Sequence, residues 1–199
     1  MTVGKKVMFV VGSPNQHGNT RTVVDWVAEG AREVGADVEI VDAARLRYEV
    51  HGCQACMACR GAKEFRCAVD DEAADVIARM PEQDAVVLAT PIYFWGLSAQ
   101  IKHVVDRMFC LVKYDERGMR LAPGLETTRL AFIATAGGGS EWGLRLAEEN
   151  VKAISGFVGA GTSAFRSFLV PNAGSEDGVR DSNAALREKA KAFGRELAS

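Results

Sequence analysis

The sequence predicts an α/β domain: a doubly wound, five-stranded parallel sheet with helices on both faces. Three observations predict it. Residues 7–11, 84–90 and 128–135 are near-continuous apolar runs of strand length, rich in valine, alanine and leucine. Strands buried on both faces, as in parallel sheets, read this way. Between such runs lie segments with helical spacing, the first carrying Val23, Val24, Trp26, Val27, Ala31 and Val34. The alternation continues to the C-terminus, giving five strands joined by helices and a right-handed doubly wound topology.

Taken in order, residues 7–11 form the first strand, which stops at Gly12 before Ser13-Pro14, a pair that cannot continue a central strand. Asn19 and Thr20 open the first helix. Residues 37–41 form the second strand, and Asp42 is expected to cap a helix over DAARL. Residues 47–69 are irregular and carry four cysteines. Asp70-Asp71 cap a helix running to about Met80. Residues 84–90 are the third strand, ending in Pro91, Ile92, Tyr93, Phe94, Trp95 and Gly96. Residues 98–110 form a helix, and 111–126 a long connection with Gly118 and Pro123-Gly124. Residues 128–135 are the fourth strand, ending in the glycine-rich stretch 136–140. A helix over 141–155, a strand over 161–169 and a helix over 176–197 complete the chain.

At 199 residues the chain suits one domain spanning 1–199, with a cysteine-rich insert at 47–69. A hydrophobic content of 48% and a charged content of 25% are ordinary globular values. The net charge of −2 argues against a nucleic-acid binder. No apolar run reaches membrane-spanning length and the N-terminus has no signal-peptide core, so a cytoplasmic protein without a membrane partner is expected. Five cysteines in such a chain point to thiols or metal ligands more than to disulfides.

Ligands of doubly wound sheets sit outside the carboxyl ends of the strands. Three strand ends have the composition of such a site. The loop after the first strand leads into a helix N-terminus, where unpaired N–H groups and the helix dipole favour an anion. Ser13, Asn19 and Thr20 add donors, and Gly12 and Gly18 allow close backbone approach. An ordinary βα turn with Asn19 or Thr20 as the cap is the competing explanation. The loop lacks the lysine of a nucleoside-triphosphate loop and the glycine spacing of a dinucleotide site, so a single phosphate fits it. The loop after the third strand is aromatic, and the loop after the fourth exposes backbone N–H groups. An anion site, a flat apolar surface and backbone donors together describe a mononucleotide with a large planar ring.

GSPNQHGNT, TPIYFWGLSAQIKHVVDRM and the GC-x2-C-x2-C insert resemble the NAD(P)H-dependent FMN reductases of the flavodoxin-like superfamily, and within it the iron–sulfur flavoproteins. The resemblance covers roughly residues 5–140. It implies the flavodoxin-like strand order 2-1-3-4-5 and FMN as cofactor. It places Ser13, Gly18, Asn19 and Thr20 on the FMN phosphate. Asn15 stands in the cofactor loop where many members have Arg; His17 is read first as a solvent-facing loop histidine, with part replacement of the missing charge as the alternative. Pro91, Ile92, Tyr93, Phe94, Trp95 and Gly96 line the isoalloxazine ring. Thr135, Ala136, Gly137 and Gly138 approach its dimethylbenzene or pyrimidine side. Lys102, His103, Asp106 and Arg107 are placed on a solvated or subunit-contacting helix face, with no catalytic role.

Cys53, Cys56, Cys59 and Cys67 follow C-x2-C-x2-C-x7-C, a spacing that suits a 4Fe–4S cluster better than zinc, with free thiols as the alternative. The insert has few apolar residues, so metal binding is expected to order it. Cys110 is set apart as a small buried hydrophobe. No cysteine has an arginine six positions on, which excludes a C-x5-R phosphatase loop. The leading expectation is an NAD(P)H-dependent FMN oxidoreductase of the flavin or quinone reductase type. NAD(P)H is the co-substrate, hydride passes to flavin N5 without a catalytic side chain, and the acceptor is a small molecule. The alternatives are an iron–sulfur flavoprotein fed by a ferredoxin-like donor, and a cofactor-free regulatory binding module. Relatives suggest a homodimer or homotetramer.

Overall fold

The computed structural model describes residues 4–116, 118–139, 141–159, 161, 163–174, 179 and 183–199. Five parallel strands form the sheet: β1 (Lys6–Val11), β2 (Asp37–Asp42), β3 (Ala85–Tyr93), β7 (Arg129–Thr135) and β8 (Arg166–Val170). Their spatial order is β2-β1-β3-β7-β8, which is 2-1-3-4-5 among the parallel strands. Val10 lies opposite Val41 on one side and Leu88 on the other. All of residues 7–11 and 85–91 are buried, which explains why the runs are apolar at every position and not at alternate ones.

The strand period of two sends these side chains to two cores. Met8, Val10, Leu88 and Phe132 pack on one face with Ile101 and Val104 of α4 (Ala99–Val105). Val7, Phe9 and Val11 pack on the other with Val23 and Val27 of α1 (Asn19–Glu33) and Phe193 of α6 (Ala184–Leu197). The α1–α6 crossing is close. A Cβ on Gly30 would lie 2.0 Å from the Lys191 carbonyl oxygen, and one on Gly194 would lie 1.9 Å from that of Val27.

Several elements differ from the sequence expectation, each for a physical reason. DAARL forms a turn and not a helix. Asp42 does cap it, accepting from Ala44 N at 3.0 Å. A helix would need the Arg47 N–H to reach the Ala43 carbonyl. That carbonyl instead accepts from Tyr48 Oη at 2.7 Å, and Arg47 N donates to Glu72 Oε2 at 2.9 Å. Residues 91–93, expected as loop, extend β3: Pro91 lies opposite Thr135 of β7, and Ile92 and Tyr93 pair antiparallel with β4 (Gly96–Leu97). The turn residues Phe94 and Trp95 have φ of +47° and +65°. Two-residue hairpin turns require such values, which strain non-glycine residues. The 98–110 helix is α4 followed by a 3-10 helix over Asp106–Leu111. The 111–126 connection holds an antiparallel hairpin, β5 (Val112–Asp115) with β6 (Gly118–Leu121).

The insert contains one short helix, α2 (Ala58–Gly61). Asp71 then caps α3 (Glu72–Ala78), accepting from Ala74 N at 3.0 Å. α5 (Glu141–Val158) runs three residues past its expected end. α6 begins at Ala184, capped by Asn183, and residues 176–178 of the expected 176–197 span lie outside the described residues. Among the described residues no helix is long and apolar enough to cross a membrane.

Candidate functional site

At the carboxyl ends of β1, β3 and β7 lies a cleft of about 200 Å³. Ser13, Asn15, Gly18, Asn19 and Thr20 line one wall; Pro91, Ile92 and Tyr93, with Thr135, Ala136, Gly137 and Ala173, line the others. A buried network fixes the first loop. Ser98 Oγ donates to the Gly12 carbonyl at 2.6 Å, and Thr90 Oγ1 donates to Ser98 Oγ at 3.1 Å. A Cβ on Gly12 would come within 2.5 Å of Ile101 Cβ, so only glycine lets β1 end this close to α4.

The N-terminus of α1 is open. Its N-cap is Gly18, in extended backbone, with no side-chain cap and no acidic residue in the first turn. Asn19 and Thr20 lie inside the helix and do not cap it. The first-turn N–H groups therefore remain for an anion. Ser13, Thr20 and Thr135 are nearly fully buried. The Thr20 and Thr135 hydroxyls lie 2.7 Å apart, and either can donate. Asn15 shapes the loop: its Oδ1 accepts from His17 N at 3.0 Å, and its carbonyl accepts from Ser13 Oγ at 3.1 Å. His17 is exposed.

Next to this cleft is a shelf of about 350 Å³, lined by Ile92, Phe94, Trp95, Ala136, Gly137, Gly138 and Gly143. Ile92, Ala136 and Gly137 belong to both, so cleft and shelf are continuous. Phe94 is 94% exposed and Trp95 57%, their rings meeting edge to face at 5.3 Å. Gly96 faces away, into a groove with Leu97, Lys102 and Leu146. Two lining residues escaped the sequence reading, Gly143 and Ala173. A Cβ on Gly143 would lie 3.1 Å from Ile92 Cγ2, and Ala173 N donates to the Ala136 carbonyl at 2.7 Å, supporting the glycine loop. Ser140, at the end of the expected glycine-rich stretch, lies outside the described residues. The donor set fits a phosphate, and the apolar shelf beside it fits a flat ring.

A second cavity, of about 370 Å³, is lined by Cys53, Cys56, Cys59, Cys67 and Cys110, together with Arg107. All five thiols are free. Cys110, set apart by its distance along the chain, is therefore brought to the other four. Burial pushes its thiol up to about 12, with Cys67 and Cys59 adding to the effect. Burial, then the neighbouring thiols, raises Cys59 as well. Among the described residues no group of three His, Cys, Asp or Glu side chains has the arrangement to hold a metal ion. The cavity is wider than one ion needs, and its four insert thiols suit a larger sulfur-ligated group.

Protein contacts hold both ends of the cysteine cavity to the rest of the fold. Arg107 is not on a solvated face. Its side chain is fully buried and grips Asp71 through Nη1 at 2.7 Å and Nη2 at 2.8 Å. Nη2 also donates to the Val69 carbonyl at 3.1 Å. Burial pushes Asp71 up, but Arg107 and the Ala74 and Glu49 N–H groups outweigh it and hold the carboxyl below its usual range. Lys113 is buried, donates to the Ala62 carbonyl and lies 4.7 Å from the Phe65 ring centroid. His103 packs against Tyr48 and His51 at ring-centroid distances of 5.2 and 5.1 Å. Burial and His51 hold its pKa down against Asp106. Lys102 and Asp106 pair at the surface, as expected. One polar atom in this region is orphaned. Among the described residues Arg107 Nε is buried and has no hydrogen-bond partner.

Residues 5–174 match the model of the family described as NADPH-dependent FMN reductase. An iron–sulfur flavoprotein of Methanocaldococcus jannaschii is 33% identical over 102 residues, 51% of each chain. A second from the same organism is 26% identical over 194 residues, covering 96% of this chain and 94% of that one. The chain spans about half the length of the first curated relatives it matches. Among solved structures, an FMN-dependent NADH-azoreductase from Bacillus anthracis in complex with FMN superposes with a TM-score of 0.71. It covers 98% of this chain and 100% of the other at 12% identity, and shows the flavodoxin-like fold.

Proposed function

The chain belongs to the NADPH-dependent FMN reductase family, and on that premise we propose that it binds FMN and moves electrons from NAD(P)H to a small-molecule acceptor of the flavin or quinone type. One observation carries this proposal: the phosphate cleft at the open end of α1 is continuous with the exposed aromatic and glycine shelf. Ser13, Gly18, Asn19 and Thr20 hold the phosphate, with Asn15 shaping their loop. Ile92, Phe94 and Trp95 offer the ring an apolar surface, and Gly137 and Gly138 supply backbone N–H groups, that of Ala136 being taken by the Val170 carbonyl. FMN, when bound, supplies the hydride and one-electron chemistry. The protein's part is to bind and orient it; Thr20 and Thr135 fix the phosphate end, and no side chain need move a proton for hydride transfer. The shelf is open, with room for a nicotinamide or an acceptor. Its exposed Phe94 and Trp95, with the exposed Leu146 of the neighbouring groove, also suit burial against a second copy of the chain, so a homodimer or homotetramer is proposed.

The cysteine cavity supports a second, compatible reading. Cys53, Cys56, Cys59 and Cys67 would hold a 4Fe–4S cluster, which supplies one-electron chemistry when bound. The chain would then exchange electrons with a ferredoxin-like protein. The test is an absorption spectrum, with iron and sulfide analysis, of anaerobically purified protein, followed by NAD(P)H oxidation. A flavin spectrum with NAD(P)H oxidation supports the first reading. About four iron and four sulfide per subunit support the second. Iron-free protein that oxidises NAD(P)H removes the second reading. Colourless protein that takes up no FMN overturns both and favours a cofactor-free binding module.

A further inference from the structure

Arg107 is an unusual residue to find beneath a thiol-lined cavity. Its side chain is fully buried, and its two terminal nitrogens are used by Asp71 and Val69. Its third nitrogen, Nε, is buried and unpartnered among the described residues. A buried N–H without an acceptor is costly, so such an atom in a folded protein asks for an explanation. Arg107 lines the cavity that the five cysteines share. Besides Asp71, Cys67 is the group that acts most strongly on the guanidinium. Burial disfavours its charge, yet Asp71 and Cys67 together raise its pKa.

We infer that Arg107 is a positioning residue for an anionic, sulfur-ligated group in this cavity, its orphaned Nε–H being the donor reserved for a sulfur of that group. The inference rests on the cluster reading above. Asp71 and Val69 take three of the five guanidinium N–H groups and fix its plane, and the buried Nε–H is left without an acceptor. A cuboidal cluster with four thiolates gains one negative charge on reduction. A buried N–H donor beside it favours the reduced form, because hydrogen bonds to cluster sulfurs raise the reduction potential.

The experiment uses the full chain purified anaerobically. Arg107→Lys keeps a cation for Asp71 and removes the Nε–H. Arg107→Gln combined with Asp71→Asn removes the charge without leaving a buried carboxylate unpaired, and Asn still caps α3. Both should bind FMN as the parent does, since Arg107 lines neither the cleft nor the shelf, and the midpoint is read on the cluster each variant retains. Each should favour the oxidised cluster about tenfold more, which is ~59 mV in a one-electron midpoint. The flavin midpoint should not move. A parent that contains iron and sulfide, with variants whose cluster midpoint is unchanged, overturns the inference and leaves the cluster reading intact. A parent without iron and sulfide overturns the cluster reading, and the inference falls with it. A measurement on the parent alone guards against variants that fail to fold. With [15Nε]arginine incorporated, pulsed EPR of the reduced cluster should show a 15N coupling. Its absence in cluster-containing protein overturns the inference.

Discussion

The sharpest test of the phosphate cleft is Thr20→Val, an isosteric change that deletes one hydroxyl. Thr20 is 2% exposed, and its Oγ1 lies 2.7 Å from Thr135 Oγ1. Each hydroxyl has one proton, so within the pair one donates and the other keeps its proton for a third group. Thr20 lies in the first turn of α1, where an anion is favoured. With phosphate bound, Thr135 therefore donates to Thr20, and Thr20 donates to the anion. A hydrogen bond to a charged group contributes about 1.5–3 kcal/mol, against 0.5–1.5 for a neutral pair. At 1.4 kcal/mol per factor of ten, Thr20→Val should weaken FMN binding roughly 12- to 140-fold. Thr135→Val removes only the supporting bond and should weaken it roughly 2- to 12-fold. Flavin fluorescence titration of apoprotein measures both. Riboflavin, which lacks the phosphate, should bind parent and Thr20→Val alike. A Thr20→Val affinity within twofold of the parent refutes the assignment, and a larger effect from Thr135→Val refutes the order of donation.

Gly12→Ala forces a Cβ within 2.5 Å of Ile101 Cβ and 2.8 Å of its nitrogen; overpacking of about 2 kcal/mol should lower Tm by roughly 4–8 °C in a thermal melt. Asp71 has a folded pKa below its ordinary value of 3.8, so the stability it contributes is present above that value and lost as pH falls through the folded pKa. Asp71→Asn should therefore cost about 3–5 kcal/mol at pH 7, by stranding Arg107, and the gap from the parent should close below about pH 4 in urea titrations. Trp95→Ala should relieve part of the tryptophan quenching that FMN binding produces and alter the bound flavin spectrum; no change in either places Trp95 outside the site. Light scattering at micromolar concentration should report a dimer or tetramer, and a monomer mass would contradict the proposed use of the exposed aromatic turn.

Much of this was legible locally. Residues 7–11 and 85–89 are apolar at every position because both faces of β1 and β3 are covered, and a short run shows that on its own. The loop after β1 was legible as cleft lining because Ser13, Gly18, Asn19 and Thr20 stand between a buried strand and a helix start. What stayed hidden depends on residues far apart in the chain. Arg107 reads as surface charge beside Lys102 and Asp106, and only Asp71, 36 positions earlier, makes its burial tolerable. Cys110 joins the other cysteines because the 3-10 helix over Asp106–Leu111 turns it under the insert. DAARL has adequate helix residues, yet Tyr48 and Glu72 take the groups a helix would use. Gly143 and Ala173 carry no side-chain chemistry; Gly143 contributes the absence of bulk beside the shelf, and Ala173 the backbone N–H that holds the Ala136 carbonyl.

The two candidate centres have no lining residue in common, but they share a scaffold. The cap of α4, Ser98, donates to the Gly12 carbonyl beneath the phosphate loop. Nine residues on, past the end of α4, Arg107 enters the cysteine cavity. At a rise of 1.5 Å per residue those two points lie roughly 14 Å apart along the helix. Between them Ile101, Val104 and Val105 are buried in the sheet's core, so the segment cannot slide without disturbing β1 and β3. At the far end, Asp71 ties Arg107 to the cap of α3, and the insert inherits that rigidity. On the proposed reading, with FMN in one site and a cluster in the other, electron exchange would need a fixed separation, and the Ser98 and Arg107 contacts would hold it from opposite ends of a single segment.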